Sequence, residues 1–140
     1  GIDGQQKMGK SLNNQIEIAA SPEETYARVM QMVTDPARIR RSDAGNPEVC
    51  NVFSMHKIFS STEEVEMINV ECRRAGIGCV DCKELFAKNL NTHLAPLRAR
   101  RMKLAEKPQV IWDILHEGAK RAHVIAQQTM HEVREAIGLP

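Results

Sequence analysis

The chain has 140 residues, which is enough for one domain with a hydrophobic core. Hydrophobic residues make up 42% of it and charged residues 26%, and a formal net charge of +1 does not mark it as a nucleic-acid-binding protein. The sequence has no apolar run near the roughly 20 residues that span a bilayer, so a cytoplasmic protein without a membrane segment is expected. Aromatic residues are only 4% of the chain, which favours helices over a large β-sheet core.

Residues 1–20 show no helical period and predict an irregular loop and connector. The loop contains two lysines that flank a glycine, followed by a hydroxyl residue, in the run Lys7, Met8, Gly9, Lys10 and Ser11. Two flexible positive charges suit the binding of a polyphosphate, and glycine permits backbone conformations that other residues resist. Because such a run is short and common, it indicates a phosphate site only weakly by itself.

Residues 21–140 carry helix signals in series and predict an all-α domain. Ser21 and Ser61 each open a capping box, and Asn46 is placed to cap a helix that begins at a proline. The long helix that ends near Ala105 contains Pro96, and the last helix ends before Gly138. The five helices are expected to begin at Pro22, Pro47, Thr62, Cys82 and Pro108.

Four cysteines are spaced C-x21-C-x6-C-x2-C, at Cys50, Cys72, Cys79 and Cys82. A disulfide scaffold does not suit a helical, enzyme-like chain. Three interpretations stay open from spacing alone: idle buried thiols, an all-cysteine zinc site, or a four-thiolate [4Fe–4S] cluster. Three nearby cations are placed to offset thiolate charge, namely Arg73, Arg74 and Lys83.

A polar, turn-rich stretch lies directly before the first cysteine. One interpretation is contact with RNA, because arginines bind phosphates and polar side chains hydrogen-bond to unstacked bases. The other is a solvated helix end held by salt bridges. The stretch consists of Asp35, Arg38, Arg40, Arg41, Asp43 and Asn46.

The run from Lys7 to Ser11 resembles the KMSKS signature of class I aminoacyl-tRNA synthetases. Further runs, in the same order along the chain, are similar to the bacterial tryptophanyl-tRNA synthetases. The family position usually held by serine is Gly9 here, which puts in doubt any side-chain hydrogen bond from that position. Asp3–Gln5 and Leu12–Asn14, on either side of the signature, also match the class I pattern. The runs that match the tryptophanyl enzymes are Thr34–Asp43, Gly45–Phe53, Gly76–Lys83, Leu94–Arg98 and Thr129–Arg134.

The resemblance implies the C-terminal part of such an enzyme, which joins tryptophan to its tRNA with ATP and Mg²⁺. Residues 1–20 would be a loop at the edge of a Rossmann catalytic domain, and residues 21–140 a helical anticodon-binding bundle. Lys7 and Lys10 would hold the departing pyrophosphate, with Met8, Gly9 and Ser11 in the same ATP site. The family also implies a homodimer.

The resemblance further implies a [4Fe–4S] cluster on the four cysteines, with zinc as the alternative, and anticodon contact by the polar stretch. The HIGH motif and the tryptophan pocket of the family are expected upstream, so this chain alone is not expected to form the adenylate. A function of another class also stays open: a free-standing metal-binding or RNA-binding helical module derived from such an enzyme.

Overall fold

The structure is a computed structural model that describes residues 1–139. Two short 3₁₀ turns, Lys10–Leu12 and Pro47–Val49, accompany the α-helices, and no β-strand occurs within the described residues. None of the helices described is long and apolar enough to cross a membrane. The α-helices are α1 (Pro22–Met30), α2 (Asn51–Phe59), α3 (Thr62–Arg73), α4 (Cys79–Ala105) and α5 (Pro108–Ala136).

The chain divides into two compact units, Gly1–Arg98 and a second one that begins at Ala99. The first unit contains α1, α2, α3 and most of α4, and the second contains the end of α4 and α5. The functional boundary predicted at residue 20 lies inside the first unit and stays a prediction.

The capping boxes begin their helices where the sequence predicts. The Ser21 hydroxyl accepts a hydrogen bond from the Glu24 N–H at 3.1 Å, and the Glu24 carboxylate accepts one from the Ser21 N–H at 2.7 Å. Ser61 and Glu64 repeat this arrangement at the start of α3. Each box satisfies two backbone N–H groups that the first helical turn leaves without partners.

The predicted single helix from Pro47 is interrupted at Cys50. Asn46 does cap the 3₁₀ turn by accepting from the Glu48 N–H at 3.1 Å, but Cys50 is extended (φ −89°, ψ 117°) and α2 begins after it. The interruption lets the Cys50 side chain join the core, and it leaves Val49 on the surface. The C-x2-C pair likewise lies in the first turn of α4, because that helix begins at Cys79 rather than at Cys82.

The core of the first unit is aliphatic, with two phenylalanines. In α4, the buried residues Phe86, Leu90 and Leu94 recur every four positions, so they form one stripe along the helix. Partly buried side chains such as Met55, Phe59 and Leu85 surround it. The buried apolar residues are Ile2, Val29, Met32, Cys50, Val52, Phe53, Ile68, Phe86, Ala87, Leu90 and Leu94.

Arg98 joins α4 to the segments before it. Its guanidinium donates to the Thr25 hydroxyl at 2.7 Å, to the Asn91 side-chain oxygen at 2.7 Å and to the Ile18 carbonyl at 3.1 Å. Because Thr25 is fully buried, this arginine supplies a partner that water cannot. Arg98 therefore has a structural role rather than the surface role that its basic neighbours suggest.

The last helix, α5, begins at Pro108 as predicted and carries an apolar stripe. Trp112, Ile114 and Leu115 are all more than half exposed on it. A Cβ built on Gly118 meets no heavy atom within 4 Å.

Candidate functional site

The lysine loop has a defined backbone and exposed side chains. Gly9 is extended (φ −154°, ψ 138°), the 3₁₀ turn follows it, and Asn13 ends the turn in the left-handed region (φ 47°). The side chains of Lys7, Lys10 and Ser11 are exposed to solvent. Two mobile ammonium groups on an ordered backbone are suited to hold a charged ligand at the surface.

Asn14 organises this loop and is only 3% exposed. Its side-chain oxygen accepts from the Gly9 N–H at 2.8 Å, and its amide donates to the Asp3 carboxylate at 2.8 Å and to the Lys7 carbonyl at 3.3 Å. The Asn14 carbonyl also accepts from the Ile2 N–H at 2.8 Å. The Asn14 side chain therefore holds the backbone on both sides of Met8, at the Lys7 carbonyl and at the Gly9 N–H.

The Asp3 carboxylate also stabilises this loop, because it accepts hydrogen bonds from the Asn14 amide and from the N–H groups of Gln5 and Gln6. The Asn14 amide lowers the pKa of the Asp3 carboxyl to about 2, and the N–H groups of Gln5 and Gln6 add to this effect. The carboxylate is the form that accepts these bonds, so it persists at all but strongly acidic pH.

The glycine at the third signature position is not required by space. A Cβ built on Gly9 has the Leu12 side chain at 3.8 Å as its nearest neighbour, which is an ordinary contact. The backbone angles of Gly9 are also open to any residue. A serine would fit at this position.

The four cysteines meet in the first unit from three different segments. Cys50 precedes α2, Cys72 lies in the last turn of α3, and Cys79 and Cys82 lie three apart in the first turn of α4. No disulfide joins them. The pKa of Cys82 is raised to about 12, mainly by burial and in smaller part by the charges of Cys50, Cys72 and Cys79. The charges of the other three cysteines therefore act on Cys82 from positions in the same unit.

Cys72 is enclosed by Gly45 and Arg38. The Gly45 N–H donates to the Cys72 carbonyl at 2.9 Å, and a Cβ built on Gly45 would lie 2.6 Å from the Cys72 sulfur. The Arg38 guanidinium approaches the same sulfur with Nη1 at 3.8 Å. Burial raises the pKa of Cys72, and Arg38 opposes that shift.

His56 is fully buried beside Cys82. Its Nε2 lies 3.1 Å from the Cys82 carbonyl and its Nδ1 lies 2.6 Å from the Ser60 hydroxyl. Since a carbonyl only accepts, Nε2 carries the proton, and Nδ1 accepts from Ser60. Burial lowers the pKa of His56, in keeping with a neutral ring. His56 therefore fixes the backbone at Cys82.

The four cysteines supply thiols, which are the donors of iron–sulfur and all-cysteine zinc sites. As the side chains stand, no group of three or more His, Cys, Asp or Glu within residues 1–139 is arranged to hold a metal ion. Four free thiols are nevertheless donors of the kind that a [4Fe–4S] cluster uses. An all-cysteine zinc site draws on the same donors.

Four of the six residues in the polar stretch are engaged within the protein. Asp35 accepts from the Ala37 and Asn46 N–H groups at 2.9 and 2.7 Å, and Asp43 accepts from the Ile39 and Arg40 N–H groups at 3.2 and 2.7 Å. The Asn46 side chain caps the 3₁₀ turn, as described above. Arg38 is only 9% exposed.

Arg40 and Arg41 are the exposed cations of the polar stretch. They line a cleft of about 270 Å³ together with Cys79. Arg41 also forms an exposed ion pair with Asp81 at 3.2 Å. Two side chains of the stretch are therefore accessible to a large anionic partner, at a place next to the cysteines.

Residues 1–95 match the family model described as tRNA synthetases class I (W and Y). The chain belongs to this family. The predicted resemblance to class I synthetases is thereby confirmed. Each of the relatives compared with it is longer than this chain.

The chain is 44% identical to the tryptophan–tRNA ligase of Aquifex aeolicus, over all of this chain and 35% of that protein. It is 45% identical to the tryptophan–tRNA ligase of Thermotoga maritima, over 99% of this chain and 42% of that protein. The chain thus spans about two fifths of the length of these relatives.

A solved structure shares the fold. It is the tryptophanyl-tRNA synthetase of Campylobacter jejuni complexed with ADP and tryptophan, which matches with a TM-score of 0.87 at 31% identity. The match covers 99% of this chain and 43% of that one.

The fold class predicted from the sequence, an anticodon-binding bundle over residues 21–140 attached to a separate catalytic domain, is wrong. The class I family model covers residues 1–95, so α1, α2, α3 and part of α4 belong to the body of the class I fold. Helical periodicity identifies helices correctly, but it cannot distinguish helices of a synthetase body from those of an appended bundle.

Sequence reasoning missed several residues that hold these sites together. Asn14 and Gly45 lie inside runs that resemble the family, which was the only signal for them. The side-chain contact of Arg38 with Cys72 and the hydrogen bond of His56 to Cys82 depend on distant segments, and no local pattern points to them.

Proposed function

We propose that this chain is part of a tryptophan–tRNA ligase, which activates tryptophan with ATP and transfers it to tRNA. The main support is the sequence identity of 44–45% to tryptophan–tRNA ligases along essentially the whole chain. Those relatives are more than twice as long, and the activity is proposed for a protein of that length.

In this proposal the lysine loop binds the phosphates of ATP. The carboxylate of tryptophan attacks the α-phosphate, and pyrophosphate leaves with its negative charge. Lys7 and Lys10 neutralise that charge, and the backbone and hydroxyl of Ser11 assist. The side chains of these three residues are exposed, and Asn14 holds the backbone of the loop that carries them. The loop thus acts on the leaving group and does not choose the amino acid.

The four cysteines are proposed to hold a [4Fe–4S] cluster. When bound, the cluster supplies a covalent connection among α3, α4 and the residue before α2. The thiols of Cys50, Cys72, Cys79 and Cys82 come from these three segments, and one buried guanidinium offsets part of their charge. Cys82→Ser is expected to lose at least half of the bound iron, and iron content equal to that of the unmodified chain would contradict the proposal.

Arg40 and Arg41 are proposed to contact tRNA phosphates. They are the accessible cations of the polar stretch, and phosphate contacts of this kind depend on salt. Arg40→Gln and Arg41→Gln should each weaken tRNA binding and lower the salt dependence by about one unit of log slope. The exposed Lys88→Gln on α4 is the control, and unchanged tRNA affinity in both arginine variants would contradict the contact.

A cytoplasmic homodimer is the proposed setting of the whole enzyme, by likeness to the family. The competing function is a free-standing metal-binding or RNA-binding helical module. A chimera separates the two: residues 1–140 replace the matching segment of the Thermotoga maritima relative, which is 42% of that protein. Tryptophan-dependent exchange of pyrophosphate into ATP by the chimera supports the ligase, and a folded chimera without exchange contradicts it. Light scattering of the same chimera tests the dimer.

A further inference from the structure

We infer that Arg28 of α1 positions the lysine loop for the chemistry proposed above. Its guanidinium binds the backbone on both sides of Asn14, whose side chain holds the loop around Met8. This inference rests on the proposed ligase activity. Arg28 is a positioning residue rather than a catalytic one, because it acts on the departing pyrophosphate only through the loop.

The contacts of Arg28 concentrate on one short segment of backbone. Nε donates to the Gln15 carbonyl at 3.1 Å, and Nη2, on the same edge of the guanidinium, donates to the Asn13 carbonyl. Nη1 donates to the Gln31 side-chain oxygen at 2.9 Å, next to the end of α1. A planar group with donors fixed along one edge suits two carbonyls that lie two residues apart.

The segment that Arg28 binds is also the one that shapes the loop. Asn13 lies in the left-handed region (φ 47°) and ends the 3₁₀ turn, and the buried Asn14 follows it. Arg28 holds the carbonyls before and after Asn14, and the Asn14 carbonyl accepts from the Ile2 N–H at 2.8 Å. Three successive carbonyls thus have defined donors, so the backbone that orients the Asn14 side chain is held in place.

Helix α1 gives Arg28 a fixed base. The next residue, Val29, is fully buried in the core, and the capping box at Ser21 fixes the start of the helix. Thr25, nearly one turn before Arg28, is also fully buried and accepts from Arg98 at 2.7 Å. The core therefore sets the place of the guanidinium, and through it the loop is positioned relative to the helices.

The position of the loop should affect the rate more than the binding of tryptophan. Negative charge develops on the leaving pyrophosphate in the transition state, and a misplacement of about 1 Å can cost about 100-fold in rate. The Lys7 and Lys10 side chains are exposed, so their placement depends on the backbone that carries them. Loss of Arg28 should lower kcat and leave the KM for tryptophan unchanged, since in this proposal the loop acts only on the leaving group.

The test uses the chimera described above in five forms: unmodified, Arg28→Gln, Arg28→Lys, Gln31→Ala and Arg101→Gln. Gln31→Ala removes one partner of Arg28 but leaves both carbonyl contacts, and Arg101→Gln removes an exposed positive charge from α4. Pyrophosphate exchange gives kcat and the KM values for tryptophan and ATP. Hydrogen exchange at the Gly9 amide and circular dichroism are measured on the 140-residue chain with the same changes.

Arg28→Gln is expected to lower kcat about tenfold with an unchanged KM for tryptophan, and to speed exchange of the Gly9 amide about tenfold. Arg28→Lys keeps the charge but lacks the planar fork, so it should lower kcat only about threefold. Gln31→Ala and Arg101→Gln should both stay within about twofold of the unmodified chimera, as changes outside the carbonyl contacts.

A double-mutant cycle separates the positioning role from a general loss of stability. If Arg28 acts by placing the loop lysines, Arg28→Gln should lower exchange by less than about threefold once Lys10→Ala is present. A general structural defect would instead act independently of Lys10, and the two losses would multiply.

The outcomes distinguish this inference from the proposed function. If the unmodified chimera exchanges pyrophosphate and Arg28→Gln does so equally fast, or if the two losses multiply, the role of Arg28 is overturned and the ligase stands. A folded unmodified chimera without exchange overturns the ligase and this inference together. If Arg28→Gln is unfolded by circular dichroism, Arg28→Lys is compared with Arg101→Gln, and equal kcat values overturn the role.

Discussion

The lysine loop and the cysteine site are built in opposite ways. In the loop the backbone is held by Asn14 and the functional side chains are exposed. At the cysteine site one thiol is buried and three are partly buried, and the four come from three segments of the chain. Exposed side chains of the loop can therefore be changed without loss of structure, whereas changes near the cysteines alter chemistry and structure together.

The largest expected effect is on chemistry alone. Lys10→Ala in the chimera should lower tryptophan-dependent pyrophosphate exchange by about 100-fold or more, because one positive donor at the departing charge is lost. Circular dichroism should be unchanged, since the Lys10 side chain is exposed. Lys88→Ala on α4 serves as the control. An exchange rate in Lys10→Ala equal to that of the control would contradict the role of Lys10 at the departing pyrophosphate.

A change in the support of the loop should instead act on structure. Asn14→Ala removes the side-chain hydrogen bonds to Gly9, Asp3 and Lys7. We expect a loss of about 2 kcal/mol in the free energy of unfolding, together with faster hydrogen exchange at the Gly9 amide. Asn14→Asp keeps the acceptor for Gly9 but faces the Asp3 carboxylate, so it should be more destabilising at neutral pH than at pH below 4. An Asn14→Ala chain with unchanged Gly9 exchange would contradict this role.

At the cysteine site, the addition of a single methyl group should lower both stability and iron binding. Gly45→Ala adds a Cβ that would lie 2.6 Å from the Cys72 sulfur and 3.2 Å from the Arg38 Cδ. Overpacking of this kind costs roughly 1–3 kcal/mol. Iron binding and thermal stability should fall together, whereas Gly118→Ala, which meets nothing within 4 Å, should leave iron binding unchanged. Normal iron content in Gly45→Ala would show that Cys72 is not held as described.

Acid should open the lysine loop only at strongly acidic pH. The folded pKa of Asp3 is about 2, against an ordinary value near 4 in an unfolded chain. The stabilisation from this carboxylate is therefore complete above about pH 4 and is lost as the pH falls towards 2. Amide chemical shifts of Gln5 and Gln6 should report this transition, and Asp3→Asn should abolish it. A midpoint near 4 in the unmodified chain would contradict the Asn14 contact.

The smallest effect is expected where the chain departs from the family signature. Gly9→Ser places a hydroxyl at the residue before a 3₁₀ turn, in a position with room for a Cβ. Serine and glycine differ by only a few tenths of a kcal/mol at such positions, so stability should change little. Pyrophosphate exchange in the chimera should stay within about twofold, and a loss above tenfold would show that the glycine itself is needed.

Local signals predicted local structure well. The capping boxes at Ser21 and Ser61 begin α1 and α3 at the expected residues, and α5 begins at Pro108. These signals succeed because a helix start depends on a few adjacent residues. The class I family was also predictable, because several runs resembled it in the right order, as the match over residues 1–95 confirms.

Long-range structure could not be predicted in the same way. The extended backbone at Cys50 and the burial of Arg38 follow from packing against distant segments. One prediction was that all six residues of the polar stretch contact RNA. In the structure, the side-chain oxygens of Asp35, Asp43 and Asn46 accept hydrogen bonds from nearby backbone N–H groups instead. Only the folded chain shows that Arg40 and Arg41 are the exposed cations of that set.

The central proposal is that the four cysteines, one buried and three partly buried, are a ligand set for an iron–sulfur cluster. Its most direct measurement is the content of iron, acid-labile sulfide and zinc in the chain purified anaerobically from iron-replete cells. About four irons and four sulfides per chain are predicted, with little zinc, and Cys79→Ser should lose most of both. Stoichiometric zinc, or a chain free of iron and sulfide under these conditions, would contradict the claim.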